Sequence, residues 1–295
     1  TLHGSSAASD VYKRQIETFI IIAVLFAAFL HATWNFVLKG SEDKFLSMTS
    51  VVLGHIPFAI IGILFFGLPN IDGLKFIIAS SLLHFFYQVF LLNAYRYGEL
   101  SEIYPIARGL SPLIILIVSF LFFHEEISKQ EIFAIFLISF SLIIYGLKQF
   151  LLKKSEVKGF VLAVVTGFFI ASYSLVDGYG ARVTQNPVGF YSVMTIANGF
   201  IFYVFARWKE KEILKRIILS GKMYFFIGGT ASYAAYAIVV WACLYLPIAV
   251  VSSLRETSIL FAVLLGVFFL KEKINLTKSL LILGLFFGVI ILRLN

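Results

Sequence analysis

Long apolar blocks separated by short polar stretches run through almost the whole chain. A helix needs about 20 apolar residues to cross a bilayer. Ten blocks meet this requirement, and they cover residues 17–38, 45–67, 74–96, 102–123, 129–147, 158–177, 187–206, 222–245, 248–270 and 275–292. The strict alternation that is typical of membrane β-barrels is absent. The pattern therefore predicts an all-α membrane protein with ten transmembrane helices.

The two halves of the chain repeat one arrangement of charged and apolar residues. Arg108 precedes Glu125 by seventeen residues, and Arg255 precedes Glu272 by the same interval, with an apolar run between them each time. The copies lie 147 positions apart in a chain of 295 residues, so the repeated unit is about half the protein. Five spans per half is an odd number, so the second half must enter the membrane from the opposite side. We therefore predict two inverted five-helix repeats. Their bounds are 16–147 and 158–293.

The first fifteen residues differ from everything that follows. They are polar and lack an apolar core. They resemble sequence translated from an adaptor, so we expect residues 1–15 to be a non-native or disordered leader and exclude them from the fold. The apolar run after Ile16 is too long for a signal peptide and continues into the first span.

Lys and Arg residues outside the spans are distributed unevenly. The loops 1–2, 3–4, 5–6, 7–8 and 9–10 contain sixteen of them, whereas the opposite side, termini included, contains six. The positive-inside rule therefore predicts that these odd-numbered loops are cytoplasmic and that both termini lie outside. Since the net charge of +8 lies in short loops, we interpret it as a topology signal and not as a nucleic-acid-binding surface.

Composition and motifs exclude several classes of protein. With 60% apolar and 14% charged residues the chain cannot present a soluble surface. Cys243 is the only cysteine, which rules out an intramolecular disulfide and a thiolate metal cluster. Motifs for a nucleophile, a zinc site, ATP or a dinucleotide are absent, and so is a pore-loop signature. We therefore predict a protein that is not an enzyme and that has no cofactor and no metal.

Four segments in four spans resemble a known family. They are His31–Asn35 in span one, Tyr97–Gly109 leading into span four, Asp177–Arg182 after span six, and Leu254–Ser258 in span nine. With the span count, they make the chain similar to the EamA-type ten-helix transporters of the drug/metabolite transporter superfamily from about residue 19 to 292. The resemblance implies two inverted repeats around a central cavity and export or exchange of small metabolites. Relatives are usually drawn with both termini in the cytoplasm, the reverse of the charge count.

Arg108 and Arg255 are the most informative candidates for a substrate site. An arginine at the centre of a membrane helix costs about 2.5 to 3.5 kcal/mol, and such charges usually face the bundle interior or an aqueous cavity. Snorkelling to the headgroups is the alternative. A guanidinium suits a carboxylate or phosphate, so we predict that both bind substrate. Neighbours on a helix point about 100° apart, so Arg255 and Glu256 should not pair. A pair between Arg108 and Glu256 would leave Arg255 available to substrate.

The other candidates for substrate binding are polar and aromatic side chains that share helix faces. They are His31, Trp34 and Asn35 in span one, His84, Tyr87 and Gln88 in span three, and Tyr233 and Tyr236 in span eight. We predict that they line the substrate cavity, and an aromatic wall would suit amphipathic or aromatic solutes. Hydrogen bonding to neighbouring helices and core packing are the alternatives.

Carboxylates within the spans are candidates for coupling. Asp177 precedes Gly178 and Gly180, which permit a sharp turn, so it is either a helix-end contact or a protonatable group near an arginine. Proton coupling through Glu256, Asp177 and His84 is our hypothesis. Glu125 and Glu272 lie at span ends, where we expect capping or an ion pair with a lysine.

The predicted function is secondary transport by alternating access, and we expect an exporter. Its partners would be membrane lipid and a small metabolite that is amino-acid-like, anionic or amphipathic and aromatic, without nucleic acid. We expect a multi-pass protein of the inner membrane of a prokaryote. A flippase of a lipid-linked intermediate and a non-transporting scaffold are the alternatives. Pro57 and Pro105 should interrupt or open helices. Gly284 and Gly288 permit close helix approach, inside the fold or in a homodimer.

Overall fold

The chain is described by a computed structural model that covers residues 2–39, 41–154, 156–271 and 274–293. Within these ranges the regular elements are helices without strands. The α-helices are α1 (Leu2–Lys39), α2 (Lys44–Gly54), α3 (Ile56–Phe66), α4 (Leu74–Ala94), α5 (Leu100–Val118), α6 (Lys129–Lys153), α7 (Val157–Thr184), α8 (Pro187–Lys209), α9 (Ile213–Arg216), α10 (Gly229–Ala242), α11 (Ile248–Arg255), α12 (Ser258–Leu270) and α13 (Leu276–Arg293). A 3-10 turn covers Ile71–Gly73, and π-helical turns cover Ser119–Phe123, Ile217–Gly221 and Tyr224–Gly228.

Ten helical segments of the described residues are long and apolar enough to cross a membrane. They are Gln15–Leu38, Lys44–Phe66, Ile71–Ala94, Ser101–Phe123, Lys129–Lys153, Val157–Thr184, Pro187–Lys209, Tyr224–Ala242, Ile248–Phe269 and Leu276–Arg293. The predicted all-α protein with ten transmembrane helices is therefore confirmed. Its orientation relative to the cytoplasm stays a prediction.

The first helix begins before the first span. α1 starts at Leu2, so residues 2–14 of the predicted leader are helical, whereas the apolar segment of membrane length starts at Gln15. That the leader is non-native stays a prediction.

Span six is longer than its sequence pattern predicts. α7 continues to Thr184, and the turn expected at Gly178 and Gly180 is wrong. Both glycines serve close packing instead. A Cβ on Gly178 would lie 2.7 Å from Ile248 Cδ1, and a Cβ on Gly180 would lie 2.5 Å from Phe190 Cζ. Because a Cβ at either position would force a neighbouring side chain to shift, glycine here allows close helix packing and does not end the helix.

Two spans are broken helices. In span two, α2 ends at Gly54 and α3 carries Pro57 in its first turn, as expected for a residue without a backbone N–H. In span nine, α11 ends at Arg255, and a turn through Glu256 and Thr257 precedes α12. The sequence analysis treated span nine as one helix, and this break was not predicted.

The two halves interlock along their lengths. α5 of the first half packs on α7 and α11 of the second, and α1 packs on α10, α11 and α12. α13 packs against α6, where a Cβ on Gly288 would lie 2.4 Å from Ile138 Cγ1. Gly284 likewise faces Ser141 of α6, so the close helix approach predicted for this glycine pair occurs inside the fold. A homodimer stays a prediction.

Candidate functional site

Arg108 of α5 and Glu256 of the span-nine turn form an ion pair between the two halves. Arg108 Nε lies 2.5 Å from Glu256 Oε2, and the exposed fractions of the two side chains are 3% and 0%. Arg108 Nη2 also donates to the Arg255 carbonyl and to Ser258 Oγ, each at 3.4 Å. The predicted pair across the halves is present. Pairing is what makes a buried carboxylate tolerable in a membrane interior.

The break in span nine changes the geometry of the adjacent residue. Glu256 keeps right-handed helical backbone angles in a tighter turn, so the Cβ atoms of the two neighbours still point apart and only their long side chains approach each other. Arg255 Nη2 lies 3.8 Å from Glu256 Oε1, so the prediction that these neighbours do not pair is wrong at the level of an ion-pair contact. Two guanidinium groups then share one carboxylate, and the three side chains carry a net charge of +1.

Arg255 is poorly satisfied for a buried cation. Its side chain is 2% exposed, its Nε has no hydrogen-bond partner, and Nη2 donates to Ser174 Oγ at 3.5 Å. The guanidinium lies over the rings of Tyr173 and Tyr236, with its carbon 5.9 and 5.7 Å from their centroids. Aromatic faces stabilise a cation only in part. Arg255 therefore favours negative charge nearby.

Asp177 is the centre of a second buried cluster, and its predicted place at the end of a helix is wrong. Its carboxylate is 0% exposed within α7 and accepts hydrogen bonds from Ser80 Oγ and, at 2.7 Å, from Tyr236 Oη. His84 Nε2 lies 2.9 Å away, and the His84 ring stacks on Tyr173 at 4.0 Å. Spans three, six and eight therefore meet at one carboxylate.

A small cavity of about 10 Å³ is bordered by this cluster and by Arg255. Asp177, Tyr236 and Arg255 all border it. The predicted coupling carboxylate and the less satisfied arginine thus lie on one internal surface.

The large cavity lies between the two halves and has a volume of about 720 Å³. Its lining comes from the end of the bundle formed by loops 1–2, 3–4, 5–6, 7–8 and 9–10, here called the odd-loop end. The lining includes Trp34 and Asn35, which were predicted to line the substrate cavity. It also includes Tyr104 and Pro105 of α5. The rest of the lining is Phe36, Leu38, Lys44, Met48, Leu91, Tyr95, Gly98, Glu99, Ser101, Tyr145, Gln149, Ile259, Ala262, Val263, Lys278 and Leu281.

Four side chains form a hydrogen-bonded set at the inner end of this cavity. Trp34 Nε1 donates to His31 Nδ1 at 3.2 Å, so Nδ1 is an acceptor and the proton of the neutral ring is on Nε2. His31 Nε2 therefore donates to Tyr104 Oη at 2.8 Å. Asn35 Nδ2 donates to the His31 carbonyl at 2.8 Å and to Tyr104 Oη at 3.4 Å. Both ring nitrogens of His31 therefore have hydrogen-bond partners, Trp34 and Tyr104.

The other predicted substrate residues do not line the large cavity. Gln88 Nε2 donates to Asn198 at 3.1 Å and joins α4 to α8. Tyr233 Oη lies 2.7 Å from Ser192 Oγ, and Tyr87 packs edge-on against Tyr173. The cavity lining likewise does not include Arg108, Arg255, Glu256, His84 or Tyr236.

At the opposite end of the bundle, here called the even-loop end, an ion pair joins the two halves. Arg182 Nη1 lies 2.5 Å from Glu125 Oε1, and Arg182 also donates to the carbonyls of Cys243 at 2.7 Å and Leu246 at 3.0 Å. Glu125 accepts the Ile248 amide at 3.2 Å and so caps α11. The capping expected for Glu125 is therefore present. Its ion-pair partner is an arginine, whereas a lysine was expected.

Further contacts tie the same end together. Asn186 Nδ2 donates to the Phe66 carbonyl at 2.9 Å and links loop 6–7 to loop 2–3. Glu272, the repeat counterpart of Glu125, lies outside the described residues.

Two features of the site were missed by the sequence analysis. Tyr104 lies one helical turn before Arg108, a spacing that places both on one face of α5 and would have identified it. Its ring centroid is 5.4 Å from the Arg108 guanidinium carbon. Glu125 and Arg182 lie 57 positions apart, so no local sequence pattern predicts their ion pair.

The comparisons with known proteins agree with this architecture. The EamA-like transporter family matches residues 18–147 and again residues 157–294. This chain belongs to the EamA-like transporter family. It is therefore a multi-pass integral membrane protein of a family of transporters, and the resemblance stated from its motifs is confirmed. No curated protein matches the chain significantly.

A solved structure shares the fold. It is titled "Crystal structure of protein", is 15% identical, and aligns with 92% of this chain and 97% of its own length at a TM-score of 0.69. Within the described residues, His, Cys, Asp and Glu form no group of three or more that could hold a metal ion.

Proposed function

We propose that this protein is a secondary active transporter that moves a small organic metabolite by alternating access. The observation that carries the proposal is the cavity of about 720 Å³ between the halves. Its volume is in the range of small-molecule sites, and transporters built from inverted repeats bind substrate where the repeats meet. An electrochemical gradient supplies the driving force.

The two ends of the bundle differ from each other, as is expected for one state of an alternating-access cycle. The cavity lining reaches the odd-loop end through Lys44, Glu99 and Lys278, whereas the ion pair of Glu125 and Arg182 joins the halves at the even-loop end. If the odd-numbered loops are cytoplasmic, as the charge count predicts, this state loads substrate from the cytoplasm. We therefore propose an exporter in the cytoplasmic membrane of a prokaryote.

The span-nine break supplies a pivot between the halves. Discontinuous helices at the midplane are typical of transporters, because unwound backbone provides partners that a continuous helix keeps to itself. Here the Arg255 carbonyl and the Glu256 carboxylate both contact Arg108. We propose that the halves rock about this buried pair.

Proton coupling is the proposed use of the second cluster. The Asp177 carboxylate is buried against His84 and borders the same small cavity as Arg255. Binding of a proton by the pair of His84 and Asp177 would change the charge next to Arg255. The Glu256 carboxylate contacts the same arginine. Loading and release of that proton would bias the rocking motion.

A metabolite survey of cells with and without the protein identifies exported solutes, and uptake into sealed vesicles then tests transport. Ala262→Trp places a large ring in the cavity, and Val161→Trp places the same ring on an outward face of α7 that is 51% exposed. We expect Ala262→Trp to reduce flux about tenfold or more while Val161→Trp keeps it. Equal flux in both variants at equal abundance would contradict a transport route through this cavity. Loss of all flux in Val161→Trp would point to misfolding.

A further inference from the structure

The Tyr104 hydroxyl group belongs to a residue that lines the large cavity, and its hydrogen bonds leave its own proton available. Its oxygen accepts from His31 Nε2 at 2.8 Å and from Asn35 Nδ2 at 3.4 Å. Both contacts occupy the lone pairs of the oxygen, so its own proton remains for another acceptor. Tyr104 lines the cavity, and a solute there can accept this proton in a hydrogen bond.

The charge behind Tyr104 favours an anionic acceptor. The Arg108 guanidinium carbon lies 5.4 Å from the Tyr104 ring centroid. Arg108 shares the Glu256 carboxylate with Arg255, so these three side chains carry a net charge of +1, while the Asp177 carboxylate borders the small cavity with Arg255 and does not line the large one. Since charges act strongly in a medium of low dielectric constant, this set attracts negative charge to the inner end of the cavity.

The cavity offers an ammonium group aromatic faces but no buried carboxylate among its described lining residues. Among its described lining residues the carboxylate is that of Glu99, which lies at the mouth, is 71% exposed and pairs with Lys153. The buried carboxylates of Glu102, Asp177 and Glu256 do not line the cavity, and Glu102 lies near Lys153. An amino acid would therefore bring its ammonium group into a site without a buried partner, which costs binding energy.

The remaining walls suit an apolar body. Trp34, Phe36, Tyr95 and Tyr145 contribute aromatic surface, and Ile259 contributes aliphatic surface from span nine. Such a lining accommodates an aromatic ring.

From these contacts we infer that the substrate is a small aromatic carboxylate without an amino group, whose carboxylate accepts a hydrogen bond from Tyr104 while its ring packs against Trp34. This inference rests on the proposed function for transport of the solute, whereas binding of the solute is argued from the cavity alone. It names a substrate class that is anionic and not zwitterionic.

Three probes with the same phenyl ring and different charges test the inference. They are 3-phenylpropanoate, phenylalanine and 2-phenylethylamine, titrated into the purified full chain in lipid nanodiscs with calorimetric detection. We expect the anion to bind at least about tenfold more tightly than the other two. Equal or tighter binding of phenylalanine or of 2-phenylethylamine, or no binding of the anion, would overturn the substrate class.

Tyr104→Phe tests the donor, since it removes one hydroxyl and keeps the ring beside Arg108. A hydrogen bond to a charged group contributes enough for its loss to raise the Kd of 3-phenylpropanoate about tenfold or more. Tyr245→Phe is the matched control, because Tyr245 is exposed and outside the cavity lining. An unchanged Kd in Tyr104→Phe would overturn the role of Tyr104. The ranking of the three probes in the wild-type chain tests the class even if this variant does not fold.

Binding and transport can fail separately. Calorimetry detects binding without movement across a membrane, so tight binding of the anion with no vesicle flux contradicts the proposed transport and retains the ligand class. Flux of another solute without binding of the anion contradicts the ligand class and retains transport.

Discussion

Arg108 and Glu256 meet between the two halves, with Nε of the arginine 2.5 Å from Oε2 of the glutamate and both side chains buried. Each residue comes from a different repeat, so the contact exists only when the halves are assembled. Removing one partner of a buried ion pair leaves an uncompensated charge, which costs about 3 to 5 kcal/mol.

Glu256→Gln should therefore lower the stability of the assembled halves by a few kcal/mol. Arg108→Gln with Glu256→Gln removes both charges, and we expect the double variant to recover part of the loss. Thermal unfolding in detergent of the wild type, both single variants and the double variant gives the coupling energy. Additive losses would contradict a direct pair.

The sole cysteine, Cys243, can report the water accessibility of the even-loop end. It is buried, and its backbone carbonyl accepts a hydrogen bond from Arg182. Glu125→Gln weakens the ion pair that closes this end, so we expect a several-fold faster reaction of Cys243 with a hydrophilic maleimide. Glu210→Gln is the control, since it removes an ion pair with Arg216 in loop 7–8 at the other end. Unchanged labelling in Glu125→Gln would show that the ion pair does not close this end.

Asp177 is expected to carry the response to a proton gradient. Asp177→Asn keeps hydrogen-bonding capacity toward Ser80 and Tyr236 but cannot ionise. The groups that face it are His84, Tyr173, Tyr236 and Arg255, none of which this variant changes. We expect flux to lose its stimulation by an imposed pH gradient while exchange at equal pH persists. Stimulation that survives in Asp177→Asn would exclude this carboxylate as the coupling group.

A pH effect on stability is expected outside the membrane spans. Burial alone would raise the pKa of Asp43, but hydrogen bonds from the Leu46 amide at 2.9 Å and the Arg216 guanidinium at 2.5 Å hold that pKa below its ordinary value. A lowered pKa means that the stabilisation is present above the unfolded pKa of about 3.9 and is lost as the pH falls through the folded value. The pair is partly exposed, so its contribution is under about 1 kcal/mol.

Asp43→Asn retains a side chain suited to capping α2 and removes the charge. The unfolding midpoint of Asp43→Asn should be slightly below that of the wild type at pH 7, and the difference should shrink as the pH falls below about 3.9. A difference that stays constant over this range would contradict an electrostatic origin.

The sequence predicts the features that depend on composition and on internal repetition. Span number follows from apolar length, since backbone groups must be satisfied within helices in a bilayer. The repeat identifies Arg108 and Arg255 as matched residues, and the departure at Glu256 identifies the partner of Arg108.

Other features depend on contacts that no local pattern records. The turn after Arg255 contains neither glycine nor proline, and it is stabilised by a distant arginine that donates to an Arg255 carbonyl. Gly178 and Gly180 are equally compatible with a turn and with close packing, and tertiary neighbours decide between them. The pairing of Glu125 with Arg182 depends on how loops of opposite halves meet.

The central claim is that opening one end of the bundle closes the other. Spin labels at Glu126 and Tyr245 report the width of the even-loop end, and labels at Glu42 and Leu276 report the width of the cavity mouth at the odd-loop end, all at exposed positions. Pulsed electron paramagnetic resonance then compares the chain carrying Cys243→Ser with the same chain carrying Arg182→Gln, which removes the ion pair to Glu125. The account predicts that the first distance lengthens while the second shortens. Lengthening at the even-loop end with an unchanged mouth, or no change at either end, would contradict it.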